Sequence, residues 1–255
     1  MVRYFMTIAI LGFWLISPVQ VHAQKSGMET DANLLTALDI SDSIDRQAAQ
    51  LQFEGIARAV LEPDFLEIIQ AGRHGRIGFS MFTWAAGRNL RVIVPWMVIE
   101  TAGDAERAAW LLGQAAAAAR PSKTKPAEGV AAALVWYEFR TDISETIDFA
   151  RGLLAAAPYR AGREVINICA NGEDNVGEGP AGARDRALAE GRIINALALG
   201  DREGLGSYLH AEVQGGPASF VLEARAYPDF AEAVLRKFLM DLIAARPSSA
   251  GIARG

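Results

Sequence analysis

The chain has 255 residues, 51% of them hydrophobic and 22% charged, with 10 prolines and 24 glycines. This apolar content excludes a disordered chain, and the Gly and Pro content excludes a collagen-like or low-complexity one. Lys and Arg total 25 against 30 Asp and Glu, a net charge of −5; no broad basic face is on offer to a nucleic acid or an anionic membrane, and a single cysteine cannot close an internal disulfide.

Residues 1–23 read as an export signal. Arg3 supplies the positive start, Phe5 to Ile16 is an almost uncharged apolar run, and Val21-His22-Ala23 places small residues at −3 and −1 before Gln24. The run is shorter than the roughly 20 residues of a membrane span, an uncleaved anchor being the alternative. A signal without a disulfide pair points to a bacterial periplasm or secretion, with no stable membrane insertion after cleavage. His22 leaves with the signal, so only His74 and His210 remain, which excludes a histidine-rich metal site. The domain is expected over 24–246, followed by a frayed tail, 247–255.

Asn33 to Ile40 is a short apolar run ending in polar residues, as a buried parallel strand does. From Asp45 the period changes: Phe53, Ile56, Ala57, Val60 and Leu61 share one helical face. Pro63-Asp64 breaks that helix, and Phe65–Ile69 adds a turn or two. Strands follow at Arg76–Trp84 and Leu90–Ile99, close enough for an antiparallel hairpin. Helix is expected from about Asp104 to Arg120, a second piece before Thr141, and another from Ser144 to Ala156. Arg163–Cys169 is a strand, Pro180–Glu190 a helix, Arg192–Leu199 a strand, Gly204–Val213 a helix, Ser219–Arg225 a strand and Pro228–Ala244 the closing helix. Strands separated by helices imply a doubly wound α/β fold: a mostly parallel sheet with one antiparallel edge strand and helices on both faces. Pro121 to Pro126 is the one linker-like segment.

In such a sheet ligands gather at the carboxyl ends of the strands. The most polar end is Asp39-Ile40-Ser41-Asp42-Ser43. Asp39, Ser41 and Ser43 alternate, so in extended geometry they face one side. One carboxylate and two hydroxyls suit a hard divalent cation, Mg²⁺ above all. The same residues also allow a plainer reading, in which Ser43 or Asp42 caps the helix that follows.

The motif resembles the first motif of the von Willebrand factor A domain, where it forms a metal-ion-dependent adhesion site. Arg140-Thr141-Asp142-Ile143 resembles that family's loop threonine. Val165 to Gly172 resembles the strand whose final acid stands before a glycine, although Asn171 replaces the acid here. Along the mature chain Gly75-Arg76-Ile77-Gly78, Val94-Pro95-Trp96 and Gly215 to Phe220 are similar to a family of exported, uncharacterised bacterial A-domain-like proteins.

The resemblance implies a three-layer fold of the A-domain type. It also implies Asp39, Ser41, Ser43, Thr141 and Asn171 as ligands of Mg²⁺, with Mn²⁺ or Ca²⁺ as alternatives. Asn171 brings oxygen without charge; Glu173, Asp174, Asp42 or Asp142 could compensate. The stretch 113–140 is longer than in close relatives and is expected on the rim of the site. The function implied is a non-catalytic protein-binding module whose partner completes the metal's shell with an Asp or Glu. The rivals are a scaffold with a vestigial site and an envelope hydrolase.

Cys169, inside an apolar strand, reads as a small hydrophobe. Arg73 to Arg76 reads as a solvated turn, Asn171 to Gly179 as a flexible loop, and Trp84, Trp96, Trp110 and Trp136 as packing residues. No glycine-rich phosphate loop follows any strand, so nucleotide binding lacks support.

Overall fold

The computed structural model describes residues 27–41, 44–85, 90–119 and 141–245. The signal, Asp42, Ser43, the linker 121–126, Trp136 and the tail 247–255 lie outside the described residues. Six strands build the central sheet: β2 (Asn33–Asp39), β3 (Ile77–Trp84), β4 (Arg91–Ile99), β6 (Glu164–Ala170), β7 (Ile193–Leu199) and β8 (Val221–Ala224), in the order β4-β3-β2-β6-β7-β8. All neighbours pair in parallel except β3 with β4, which places the one antiparallel strand at an edge. A second ladder, β1 (Glu29–Thr30) on β5 (Arg160–Ala161), was not foreseen; two-residue strands carry no periodicity to read.

The helices are α1 (Arg46–Leu61), α2 (Pro63–Gln70), α3 (Ala102–Ala119), α4 (Ile143–Ala155), α5 (Ala181–Ala189), α6 (Leu205–Tyr208) and α7 (Phe230–Ile243). The expected helix 204–213 is a four-residue α6 that widens into a π turn over Leu209–Val213. Among the described residues no helix is long and apolar enough to cross a membrane.

Alternation along the strands sorts the core into two layers. Leu34, Leu38, Phe79, Met81, Val165 and Cys169 face α1, α2, α3 and α7. Leu35, Ala37, Phe82, Trp84, Ile166 and Ile168 face α4, α5 and α6. The neighbouring strands β2 and β3 are buried along their whole length, as a sheet covered on both faces requires. Gly55 lets α1 and α7 approach: a Cβ there would stand 2.7 Å from the buried ring of Phe230.

One polar cluster lies inside the first layer. Lys237 and Asp241, both fully buried on α7, meet the cross-strand pair Asn167 and Asn195. Lys237 Nζ donates to Asn167 Oδ1, while Asn167 and Asn195 donate to the Asp241 carboxylate at 2.8 and 2.6 Å. Each buried charge thus has a polar partner, as burial demands.

Candidate functional site

The parallel strands deliver their carboxyl ends to one edge, where β2 ends in Asp39 and β6 is followed by Asn171. Asp39 is fully buried, and among the described residues it makes no ion pair. Its Oδ1 accepts from the Ser41 amide at 2.8 Å and its Oδ2 from the Asn171 amide at 3.5 Å. Burial pushes its carboxyl up to about 6, against the opposing pull of the Ser41 and Asn171 hydrogen bonds. The chain thus turns back on itself directly after β2, which keeps Ser41 buried beside Asp39.

Thr141 comes from a distant part of the chain, two residues before α4. Asn175 holds its backbone from both ends: Thr141 N donates to Asn175 Oδ1 at 2.9 Å, and Asn175 N donates to the Thr141 carbonyl at 3.0 Å. The result brings the Thr141 hydroxyl against Gly172, 3.3 Å from where a Cβ would sit. Asp39, Ser41, Thr141 and Asn171 therefore converge on one edge, through Asp39–Ser41, Asp39–Asn171 and Thr141–Gly172 contacts. Ser43 lies outside the described residues.

Two of the four acids named as compensating groups, Asp142 and Asp174, have other work. Asp142 caps α4 by accepting from Glu145 N at 2.8 Å. Asp174 Oδ2 accepts from the first amides of the same helix, Ile143 N at 2.7 Å and Ser144 N at 3.1 Å, and its Oδ1 from Val176 N at 2.9 Å. The loop 171–179 read as flexible is in fact the brace that holds Thr141 and the start of α4. Helix α1 is capped by Asp45, which accepts from Ala48 N at 2.7 Å, so neither Asp42 nor Ser43 is needed for that task.

Two residues at this edge escaped the sequence reading. Tyr227, in a 3₁₀ turn (Tyr227–Asp229), packs on Ile44, Ala48 and Ala49 and hydrogen-bonds the Asn171 side chain. Arg202 brings a guanidinium nitrogen within 3.8 Å of the same Cβ position at Gly172 and has no ion pair among the described residues. Both are distant in sequence from the motif and sit in no pattern of their own.

The chemistry available is oxygen-only: one carboxylate, hydroxyls and an amide oxygen, the donor set of a hard cation. No group of three or more His, Cys, Asp or Glu that could hold a metal exists among the described residues. A buried carboxylate lacking a counter-charge is nonetheless the group that a cation would satisfy, and the Ser41 side chain lies beside it. Cys169 is fully buried and its thiol is pushed up to about 12, chiefly by burial, which removes the thiolate a nucleophile needs. His74 lies in the turn before β3, where its amide donates to Asp31, as a solvated turn would have it.

The fold is shared with proteins of the von Willebrand factor A type. Proximal thread matrix protein 1 from the mussel byssus, in a structure with a zinc-occupied MIDAS motif, aligns at TM-score 0.56 and 16% identity, over 85% of this chain and 49% of that one. The vWF domain of the type V pili tip protein Mfa5 from Porphyromonas gingivalis aligns at TM-score 0.55 and 9% identity, over 86% of this chain and 98% of that one. The pilus adhesin SpaC from Lactobacillus rhamnosus GG aligns at TM-score 0.54 and 12% identity, over 86% and 31%. The chain thus spans about half of the mussel protein and about a third of SpaC. No curated protein shows significant sequence similarity to it. A family model matches residues 29–136 and again 118–246, the overlap falling inside the stretch 113–140 that the sequence set apart. On that match the chain belongs to the family described as protein of unknown function DUF1194.

Proposed function

We propose that the chain is an exported, non-catalytic module, spanning 24–246 behind a leader of 23 residues, that binds another protein through a cation-organised face. Asp39, Ser41, Ser43, Thr141 and Asn171 are the residues that would hold Mg²⁺, or Mn²⁺ or Ca²⁺ in its place. A bound cation would supply an electrophilic centre at this face. The chain's own contribution is to keep the carboxylate dry, to fix the hydroxyls around it and to leave one side open to a partner's Asp or Glu. Arg202 adds positive charge to the same rim, which favours an acidic partner. A binding role is supported by the structural relatives, which are a thread matrix protein, a pilus-tip protein and a pilus adhesin.

One observation carries this reading: the fully buried Asp39 with no ion pair, set among neutral oxygens. Calorimetric titration of Mg²⁺, Mn²⁺ and Ca²⁺ into the mature protein and into Asp39→Ala tests it. Binding is expected in the first and not in the second; equal heats from both remove the cation from the function.

A vestigial scaffold is the second reading, favoured by the neutral Asn171 in place of an acid. Asn171→Asp separates the two. A working site gains Mg²⁺-dependent thermal stability on receiving a second carboxylate, whereas a vestigial one does not respond.

A further inference from the structure

The last turns of α3 are built from alanine, and short side chains there leave space between α3, α1 and the edge strand β4. The space is a groove of about 420 Å³, with Ile40, Phe53, Val92, Ile93, Leu111 and Ala115 as its apolar lining. Ile40, Ile93, Leu111 and Ala115 pack on the core yet are only partly buried. Val92 is 39% exposed, one of five large apolar side chains in water among the described residues. Apolar surface left in water along a formed cleft marks a place for a ligand.

The polar lining sets the charge of that ligand. Among the described residues no carboxylate lines the groove, although the chain has 30 Asp and Glu. Thr83 is buried and donates its hydroxyl to the Arg91 carbonyl at 3.4 Å. Gln114 offers a neutral amide, and Arg91 an exposed guanidinium with no ion pair among the described residues. The complementary ligand has an apolar body with an anionic group beside it.

Exposure sets its source. Arg91, Val92, Gln114 and Ala118 all reach solvent, so the groove covers only one side of what it holds. A free amphiphile would keep its other side in water, whereas a segment of a partner has that side covered by the protein that carries it. Ile40 stands between Asp39 and Ser41, so one end of the groove lies at the edge that the proposed function gives to a partner.

We infer that this groove receives a partner-protein segment in which a bulky apolar residue stands next to an Asp or Glu. The apolar side chain enters between β4 and α3, and the acid meets Arg91, apart from any acid that a cation would take. The inference goes beyond the cation-organised face and needs no ion.

The test uses three acetylated, amidated tripeptides, Leu-Phe-Glu, Leu-Phe-Gln and Ala-Ala-Glu, read by methyl NMR of the purified protein in EDTA. Leu-Phe-Glu is expected to shift the methyl signals of Ile40, Val92, Ile93 and Leu111. Ala-Ala-Glu is expected to bind about tenfold more weakly or worse, for want of apolar burial. Leu-Phe-Gln is expected to lose about twofold to fivefold, a difference that Arg91→Gln abolishes. Ala118→Leu fills the groove from an exposed helix position, and Val92→Thr makes its side polar at nearly constant shape. Both are expected to weaken Leu-Phe-Glu with thermal unfolding unchanged. Methyl signals that stay still with every peptide, or equal binding of Leu-Phe-Glu and Ala-Ala-Glu, overturn the inference. So does tighter binding of sodium laurate than of Leu-Phe-Glu, which assigns the groove to a free amphiphile. Two further results overturn it: Leu-Phe-Glu binding only after 121–139 is replaced by a glycine-serine linker of equal length, which makes the chain its own occupant, and a dimer that Val92→Thr dissociates, which makes a second copy the occupant. Failure of the Asp39→Ala comparison leaves this test intact, because every reading is taken without a divalent cation.

Discussion

At the scale of single residues, Asp39 has the largest consequence for pH. Its folded-state carboxyl stands at about 6 against an ordinary value of 3.8, because burial disfavours the charge. The folded protein therefore takes up a proton before the unfolded one does, and this group adds stability as pH falls from about 6 to about 4. Above that window both states are ionised and the full desolvation cost is present. Asp39→Asn removes the titration. In urea denaturation with a chelator present, the variant's advantage over wild type is expected to be greatest at pH 7.5 and to shrink on acidification. The shrinkage is at most about 3 kcal/mol, the equivalent of two pH units. A difference constant from pH 7.5 to 4 would mean that Asp39 is not set by burial.

The sequence made Asp39 and Ser41 legible because they stand in one short alternating motif at a strand end. Asn171 and Thr141 became legible only through resemblance, since each comes from a different part of the chain. Tyr227, Arg202 and the capping role of Asp174 were out of reach. Each acts across a long sequence separation, where no local spacing reports on contact.

At the scale of elements, nearly every strand and helix was readable from its period, with ends shifted by a few residues. The exceptions have physical reasons. The β1–β5 ladder is too short to have a period, and the π turn Leu209–Val213 keeps a helical apolar face while changing its hydrogen bonding. The start of α4 is the element that matters most to the site, because Thr141 is its immediate neighbour. Asp174 accepts from two of its first amides and adds negative charge at the end of the helix where the dipole is positive. Asp174→Ala is expected to lower stability by about 1–2 kcal/mol in urea denaturation, and to loosen Thr141 with it. Slower backbone exchange at Ile143 and Ser144 in the variant than in wild type would contradict this account.

At the scale of the whole molecule, the closing helix is tied to the sheet by the Lys237–Asn167–Asp241–Asn195 cluster. Burial pulls Lys237 down and pushes Asp241 up, and each lessens the other's shift. Removing one partner strands a charge: Asp241→Leu alone is expected to cost about 3–5 kcal/mol, while Lys237→Met with Asp241→Leu regains most of that loss. Thermal unfolding of the three proteins checks it, and a double variant no better than the single would show that the asparagines, not the two opposite charges, hold the helix. Helices on both faces and a parallel sheet were foreseen from the alternation of periods. This cluster was not, because a lysine and an aspartate four residues apart look like a solvated helical face.

Asp39 and Asn171 are 132 residues apart, and they meet because β2 and β6 lie side by side at the centre of the sheet. No fragment that lacks either strand can assemble the socket, and a nascent or stretched chain has no place to lodge an ion. If the site holds a cation as proposed, its capture would report completed folding: a partner that needed the ion for its grip would be refused by every immature copy.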